Sequence, residues 1–251
     1  MKQLISSLLL FGLISLSHAV KLQYNYEPNK PLYYELTMEN ISSFASPDSG
    51  RKIVKMSTKL KMKQELIEKS PSGEMKVAMT ILKAVQTVNG VEKPFSAGIN
   101  QTQIVRMMPN GKVLSTLTQV PGQSPDQSAM QMIFPTQSLK AGSTWTQIKD
   151  IAEPLPVETR TLYKLTKLSP TSVTISSIMK LKNTGGDTVQ AQTKGATVFD
   201  HVNKKIISSD ADSKFQFEIP LKIPGLLPNN SKIKVTLHMK TKIKLISQDE
   251  L

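Results

Sequence analysis

The residue types that carry most protein chemistry are scarce in this 251-residue chain, which has no cysteine and three histidines. Without sulfur, disulfide frameworks, Cys-ligated zinc, iron–sulfur clusters and thiol nucleophiles are all excluded. His201 and His238 lie outside the N-terminal segment, but neither has a second ligand at a spacing such as H-x-x-x-H. His238 falls on a lysine-rich strand face and His201 follows Asp200 in a turn, so both read as solvated side chains. Asp210 and Asp212 stand two apart on one face of a strand. A glycosidase pair instead needs carboxyls about 5 to 10 Å apart across a cleft. No G-x-S-x-G elbow, H-E-x-x-H helix or phosphate-binding loop occurs. The expectation is a protein that is not an enzyme and that holds no metal and no cofactor.

Binding chemistry is better represented. Lysines recur at every second residue, as Lys59, Lys61 and Lys63 and again as Lys240, Lys242 and Lys244. Such stripes suit a solvated sheet face, and they also suit contact with an anionic envelope surface, where each lysine is worth about 1 kcal/mol. No aromatic residues interleave them, so nucleic acid is not an expected partner. The chain also has 12 methionines, whose flexible, polarizable side chains fill cores and line adaptable apolar sites. The candidate lining for an apolar or lipid-like ligand is Met56, Leu60, Met62, Met130, Ile133, Trp145, Leu237 and Met239.

The elements that position these residues are strands. Met56, Thr58, Leu60, Met62, Gln64 and Leu66 alternate with Lys55, Ser57, Lys59, Lys61, Lys63 and Glu65, the period of two that places successive side chains on opposite faces. The same alternation sets Ile233, Val235, Leu237, Met239, Ile243 and Leu245 against Lys232, Lys234, His238, Lys240, Lys242 and Lys244. Further strands are expected at Leu32–Met38, Glu74–Val88, Gln103–Met108, Lys112–Thr118, Ser143–Ile148, Thr159–Leu168, Ser172–Leu181, Thr188–Phe199 and Lys205–Ile219. Turns are expected at Ser70–Gly73, Asn89-Gly90, Pro109-Asn110-Gly111 and Asn183–Gly186. Asp126–Phe134 lacks alternation and reads as a short helix stopped by Pro135. The fold class is mainly β, with long antiparallel strands in a curved sheet or half-barrel and one or two short helices.

The first nineteen residues read as a signal peptide: Lys2, an apolar run from Leu4 to Leu16, and small residues at Ser17 and Ala19 before a cleavage point. The remainder of the chain, 20–251, reads as a single β-rich domain, in which two lobes could meet near 150–158. No later stretch is apolar enough to span a membrane as a helix. An exported product in the bacterial periplasm is expected, with secretion to the extracellular space as the alternative. Basic side chains number 32 against 19 acidic ones, a formal net charge of +13, which favours anionic partners. The sequons at Asn40, Asn100 and Asn229 and the terminal Gln248-Asp249-Glu250-Leu251 would fit a eukaryotic endoplasmic reticulum, but they are read as coincidence beside the missing cysteines.

Phe134-Pro135 followed by Leu139-Lys140-Ala141-Gly142-Ser143-Thr144-Trp145 resembles the F-P…G-[DS]-[TS]-W block of a bacterial secreted family catalogued only as a domain of unknown function. Tyr33 to Asn40, the long strand ending near Glu68, Pro109 to Val113, and Gly195 with Phe199-Asp200 are similar in layout. The resemblance implies an antiparallel β-rich fold with no established activity, and the long strands look like the half-barrels of periplasmic lipoprotein carriers. Members of the family often look like lipoproteins, whereas this chain has no lipobox cysteine. Trp145 itself, at a strand start after Gly142, is expected to plug the open end of the curved sheet with its N–H bonded to a carbonyl; stacking on a ligand is the lesser reading because no second aromatic accompanies it. The functional expectation is a non-enzymatic protein binding an apolar or lipid-like ligand in the cell envelope. Its rival is an envelope interaction module contacting anionic partners through the lysine face.

Overall fold

Alternation in the sequence becomes alternation in burial. The computed structural model describes residues 19–46, 50–93, 99–118, 131–151, 157–183, 190–220 and 232–251. Its strands are β1 (Leu32–Ser46), β2 (Gly50–Lys69), β3 (Met75–Val88), β4 (Val91–Lys93), β5 (Thr102–Met107), β6 (Val113–Thr118), β7 (Thr144–Ile151), β8 (Val157–Leu168), β9 (Ser172–Asn183), β10 (Gln190–Asp200), β11 (Lys205–Pro220) and β12 (Lys232–Ile246). Along β2, Thr58, Leu60, Met62 and Gln64 are buried while the lysines between them face outward. Met75, Val77, Met79 and Ile81 repeat the pattern on β3. This is the burial expected of an antiparallel sheet with one dry and one wet face.

All twelve strands join one open, curved antiparallel sheet in the order β6-β5-β3-β2-β1-β12-β11-β10-β9-β8-β7, with β4 added to β3. The long middle strands β2, β1, β12 and β11 pair in register over most of their length. β1 runs eight residues beyond the expected Met38, to Ser46. The polar stretch from Glu39 to Ser43 is a weak strand former alone, but it is held by ladders to both β2 and β12. Among the expected turns, Gly73, Asn89, Gly90 and Gly111 have positive φ, whereas most of Asn183–Gly186 lies outside the described residues.

The helix expected over Asp126–Phe134 is not present in its described part, Gln131–Phe134, which is irregular. Its backbone groups are taken by distant partners: the Phe134 N–H donates to the Asn110 carbonyl at 2.8 Å, and the Ile133 carbonyl accepts from the Trp145 indole at 3.0 Å. A ladder within the segment is therefore not formed. The one helical turn among the described residues is a 3-10 turn at Gln248–Glu250.

The core is concentrated at one end of the dry face. The N-terminal segment crosses that end, bridged through Val20 to Leu139, and buries Leu22, Tyr24 and Tyr26, each at a second residue. Tyr24, Phe134 and Phe199 form an aromatic cluster with ring centroids 4.9 to 5.4 Å apart. The phenols stay satisfied: Tyr26 donates to Gln64 Oε1 at 2.9 Å, Tyr34 donates to the Ile206 carbonyl at 3.1 Å, and the Tyr24 oxygen accepts from the Met132 N–H at 3.2 Å.

Burial pushes all three phenols above their ordinary pKa of 10.0. A folded-state pKa raised above the unfolded one means that the unfolded chain releases these protons first. The stability they contribute is thus complete below pH 10 and declines as pH rises through the tyrosine range. Alkaline titration is expected to unfold the protein cooperatively, with tyrosinate absorbance and loss of β-sheet signal rising together. Ionisation of Tyr24, Tyr26 and Tyr34 ahead of unfolding would contradict a sealed aromatic end.

Candidate functional site

Beyond the aromatic cluster, register fixes which side chains share the dry face. One row crosses the sheet as Met56, Asn40, Met239, Ser213, Thr193 and Met179. The next row outward carries Val54, Ser42, Leu237, Phe215 and Ala191. Met56, Met179, Leu237, Met239 and Phe215 are half-buried, in contrast to Leu60 and Met62 on the same face, which are 2% and 1% exposed. On β1 and β2 the face thus grades from a sealed floor to a half-buried stretch, the trough, whose rows mix apolar side chains with Asn40, Ser42, Thr193 and the buried Ser213.

The expected lining residues divide across that gradient. Leu60 and Met62 sit in the sealed core, Met56, Leu237 and Met239 lie in the trough rows, and Trp145 packs against the core cluster with its indole bonded to the Ile133 carbonyl. Met130 lies outside the described residues. A void of about 20 Å³, lined by Tyr24, Tyr26, Tyr34, Met62, Gln64, Gln131, Ile206 and Ile243, interrupts the floor near Met62, room for about one water molecule. Trp145 behaves as its position suggested: at the start of β7 it donates its indole N–H to the Ile133 carbonyl. It is accompanied, however. Tyr163 on β8 stacks on it with centroids 5.2 Å apart and planes at 18°, a pairing invisible until β7 and β8 are in register. The Tyr163 phenol is pushed up by burial and donates toward Gln147 Oε1 at 3.4 Å.

Sequence reasoning missed Leu22, Tyr24 and Tyr26, which close the floor. Their signal was present as a short period-two run from Val20 to Tyr26 directly after the leader-like segment.

On the wet face, the two lysine stripes come together on neighbouring strands with acids set between them. Glu35 on β1 stands between Lys61 and Lys244, and Glu39 opposite Lys240. Lys59 pairs with Glu35 at 2.9 Å, Lys63 with Glu65 at 2.8 Å, and Lys244 with Glu250 at 3.7 Å, while the Lys61 ammonium donates to the Glu250 and Leu251 carbonyls. Asp210 and Asp212 face Lys242 and Lys240 across the β11–β12 ladder, around an open depression of about 310 Å³. They stand opposite lysines on a solvated surface. His238 joins them, its Nε2 2.9 Å from Asp212 Oδ1, and His201 bonds the Ser169 carbonyl in a turn. Among the described residues no group of three or more His, Asp or Glu side chains is placed to hold a metal, and no helix is long and apolar enough to cross a membrane.

No family model and no curated protein sequence matches the chain, so the family resemblance rests on its residue motifs alone. Solved structures do match. A structure of lipovitellin, described for its lipid–protein interactions, superposes with a TM-score of 0.57 at 11% identity, covering 89% of this chain. The chain spans about a quarter, 26%, of that protein. At this identity the likeness concerns the fold: an extended, curved antiparallel sheet. A LolA superfamily protein from Nitrosomonas europaea (10% identity, 90% of each chain) and an outer-membrane channel from Pseudomonas putida F1 (7% identity, 88% of this chain and 100% of that one) align with TM-scores of 0.18 and 0.25. Scores of that size support no argument about shared architecture.

Proposed function

We propose that this protein binds an apolar, lipid-like molecule in the trough of its curved sheet and does so without catalysing a reaction. The observation that carries this reading is the gradient of burial along one face, sealed at Leu60 and Met62 and half-buried at Met56, Leu237 and Met239. Apolar surface left partly wet gains about 25 cal/mol for each Å² that a ligand covers. The stacked Trp145–Tyr163 pair borders the same face and adds a rigid apolar wall. The fold shared with lipovitellin, a protein described through its lipid contacts, supports the same ligand class. The leader-like first nineteen residues and the resemblance to a secreted family support an extracytoplasmic setting, in the bacterial periplasm or outside the cell. The rival reading, an envelope module acting through Lys59, Lys61, Lys63, Lys240, Lys242 and Lys244, receives less support because Glu35, Glu39, Asp210 and Asp212 are interleaved with those lysines.

Native mass spectrometry of the mature protein, followed by organic extraction, tests the proposal. The expected result is a retained lipid at near-stoichiometric occupancy, which Met239→Arg removes by placing a charge in the trough. A clean apo mass with no uptake of added fatty acid or phospholipid would overturn it.

A further inference from the structure

The wet face is not uniform. Around β1, β11 and β12 its lysines are matched by acids, but the strands toward the β7 edge carry a different surface. There Ile148, Leu162 and Ile178 point outward and are 57%, 47% and 41% exposed. Leu162 and Ile178 are direct cross-strand partners, and Ile148 stands two residues along β7 from Thr146, the other partner of Leu162. Basic side chains surround this aliphatic cluster: Arg160 and Lys180 face each other on one side, Lys164 lies on the other, and Lys194 sits beside Ile178. Arg160, Lys164 and Lys180 face no acid across a ladder and are in no ion pair among the described residues, whereas Lys194, like Lys240, faces Asp212. The acids on this face are peripheral, with Glu158 one row beyond Arg160 and Asp212 facing Lys194 from β11.

We propose that this patch docks the protein on an anionic phospholipid surface, with Leu162, Ile178 and Ile148 entering the headgroup boundary and Arg160, Lys164 and Lys180 contacting phosphates. Aliphatic side chains ringed by exposed cations are the composition that an anionic bilayer holds. A protein interface is the weaker fit, since the patch lacks the aromatic anchors typical of binding hot spots and is rich in lysine, which such interfaces disfavour. Docking here would leave the trough on the opposite face of the sheet unobstructed. The proposal is independent of the ligand reading, because it rests on the outer face alone.

Co-sedimentation with vesicles tests it. The protein is expected to partition onto mixed phosphatidylglycerol–phosphatidylcholine vesicles and not onto phosphatidylcholine alone. Lys164→Gln/Lys180→Gln should weaken partition about thirtyfold, whereas Lys59→Gln/Lys242→Gln, an equal loss of charge elsewhere on the same face, should change it by less than about threefold. Leu162→Ser/Ile178→Ser should also weaken it, with an unchanged thermal midpoint confirming that these exposed positions leave the fold intact. Equal effects of the two lysine pairs, equal binding to neutral vesicles, or binding to soluble polyglutamate without vesicle binding would each overturn the proposal. None of these readouts depends on whether the trough retains a lipid.

Discussion

Gly111→Ala is expected to destabilise the protein by about 3 to 5 kcal/mol, a large share of the stability of an ordinary domain. Gly111 has φ +89°, a left-handed conformation that side chains rarely adopt. A Cβ there would collide with the Met132 carbonyl oxygen and lie 2.7 Å from Tyr24 Cε2. Neither obstacle can retreat cheaply. Met132 belongs to the segment that Asn110 holds through the Phe134 N–H, and the Tyr24 N–H donates to the Pro109 carbonyl at 2.7 Å. The Pro109-Asn110-Gly111 turn is therefore clamped between the N-terminal segment and residues 131–135, and a methyl group would force both away from the floor. Denaturant unfolding checks this, with Gly90→Ala as comparison. Gly90 also has positive φ but nothing within 4 Å of its added Cβ, so it should lose only about 1 to 2 kcal/mol of backbone preference. Equal losses at the two positions would refute the clamp.

Phe134→Ala should cost a similar amount, about 3 to 5 kcal/mol, for a different reason. Its ring is 1% exposed, stacked on Tyr24, edge-on to Phe199 at 4.9 Å and tilted toward Trp145 at 6.5 Å. The surroundings are tied to the backbone and cannot collapse into the space left. Phe134→Leu, which refills most of the volume, should lose only about 1 to 2 kcal/mol. Because Trp145 packs on this ring and bonds the neighbouring carbonyl, Phe134→Ala should also shift the tryptophan emission to the red while leaving the sheet signal intact in mild conditions. A small loss with unchanged emission would mean that the floor is not a single packed unit.

These two expectations bear on function because the floor sets the depth of the trough. A sealed end made of Leu22, Tyr24, Phe134 and Phe199 lets one sheet face change from dry core to half-buried apolar surface within a few residues of the same strand. The separation is useful experimentally. Substitutions at the floor should act on stability, those at Met239 on ligand retention, and those at Lys164 and Lys180 on vesicle partition.

Much of the architecture was legible in the residues themselves. Strict alternation over Lys55–Leu66 and Lys232–Leu245 specified long strands and their dry faces, because a period of two leaves no other way to bury those side chains together. Glycine and asparagine at Gly73, Asn89, Gly90 and Gly111 marked reversals through their tolerance of positive φ. Trp145 could be assigned its carbonyl partner in kind, since a buried indole N–H must be satisfied. Contacts between distant segments were decided only on folding. Glu35 and Glu39 enter the lysine stripes because β1 inserts between β2 and β12, Tyr163 reaches Trp145 through the β7–β8 register, and Gln131–Phe134 gives up a helical ladder for partners on Tyr24, Asn110 and Trp145. Local patterning sets which face of a strand is apolar. Which strands become neighbours, and so where charge is neutralised and apolar surface left open, depends on long-range pairing that no local period encodes.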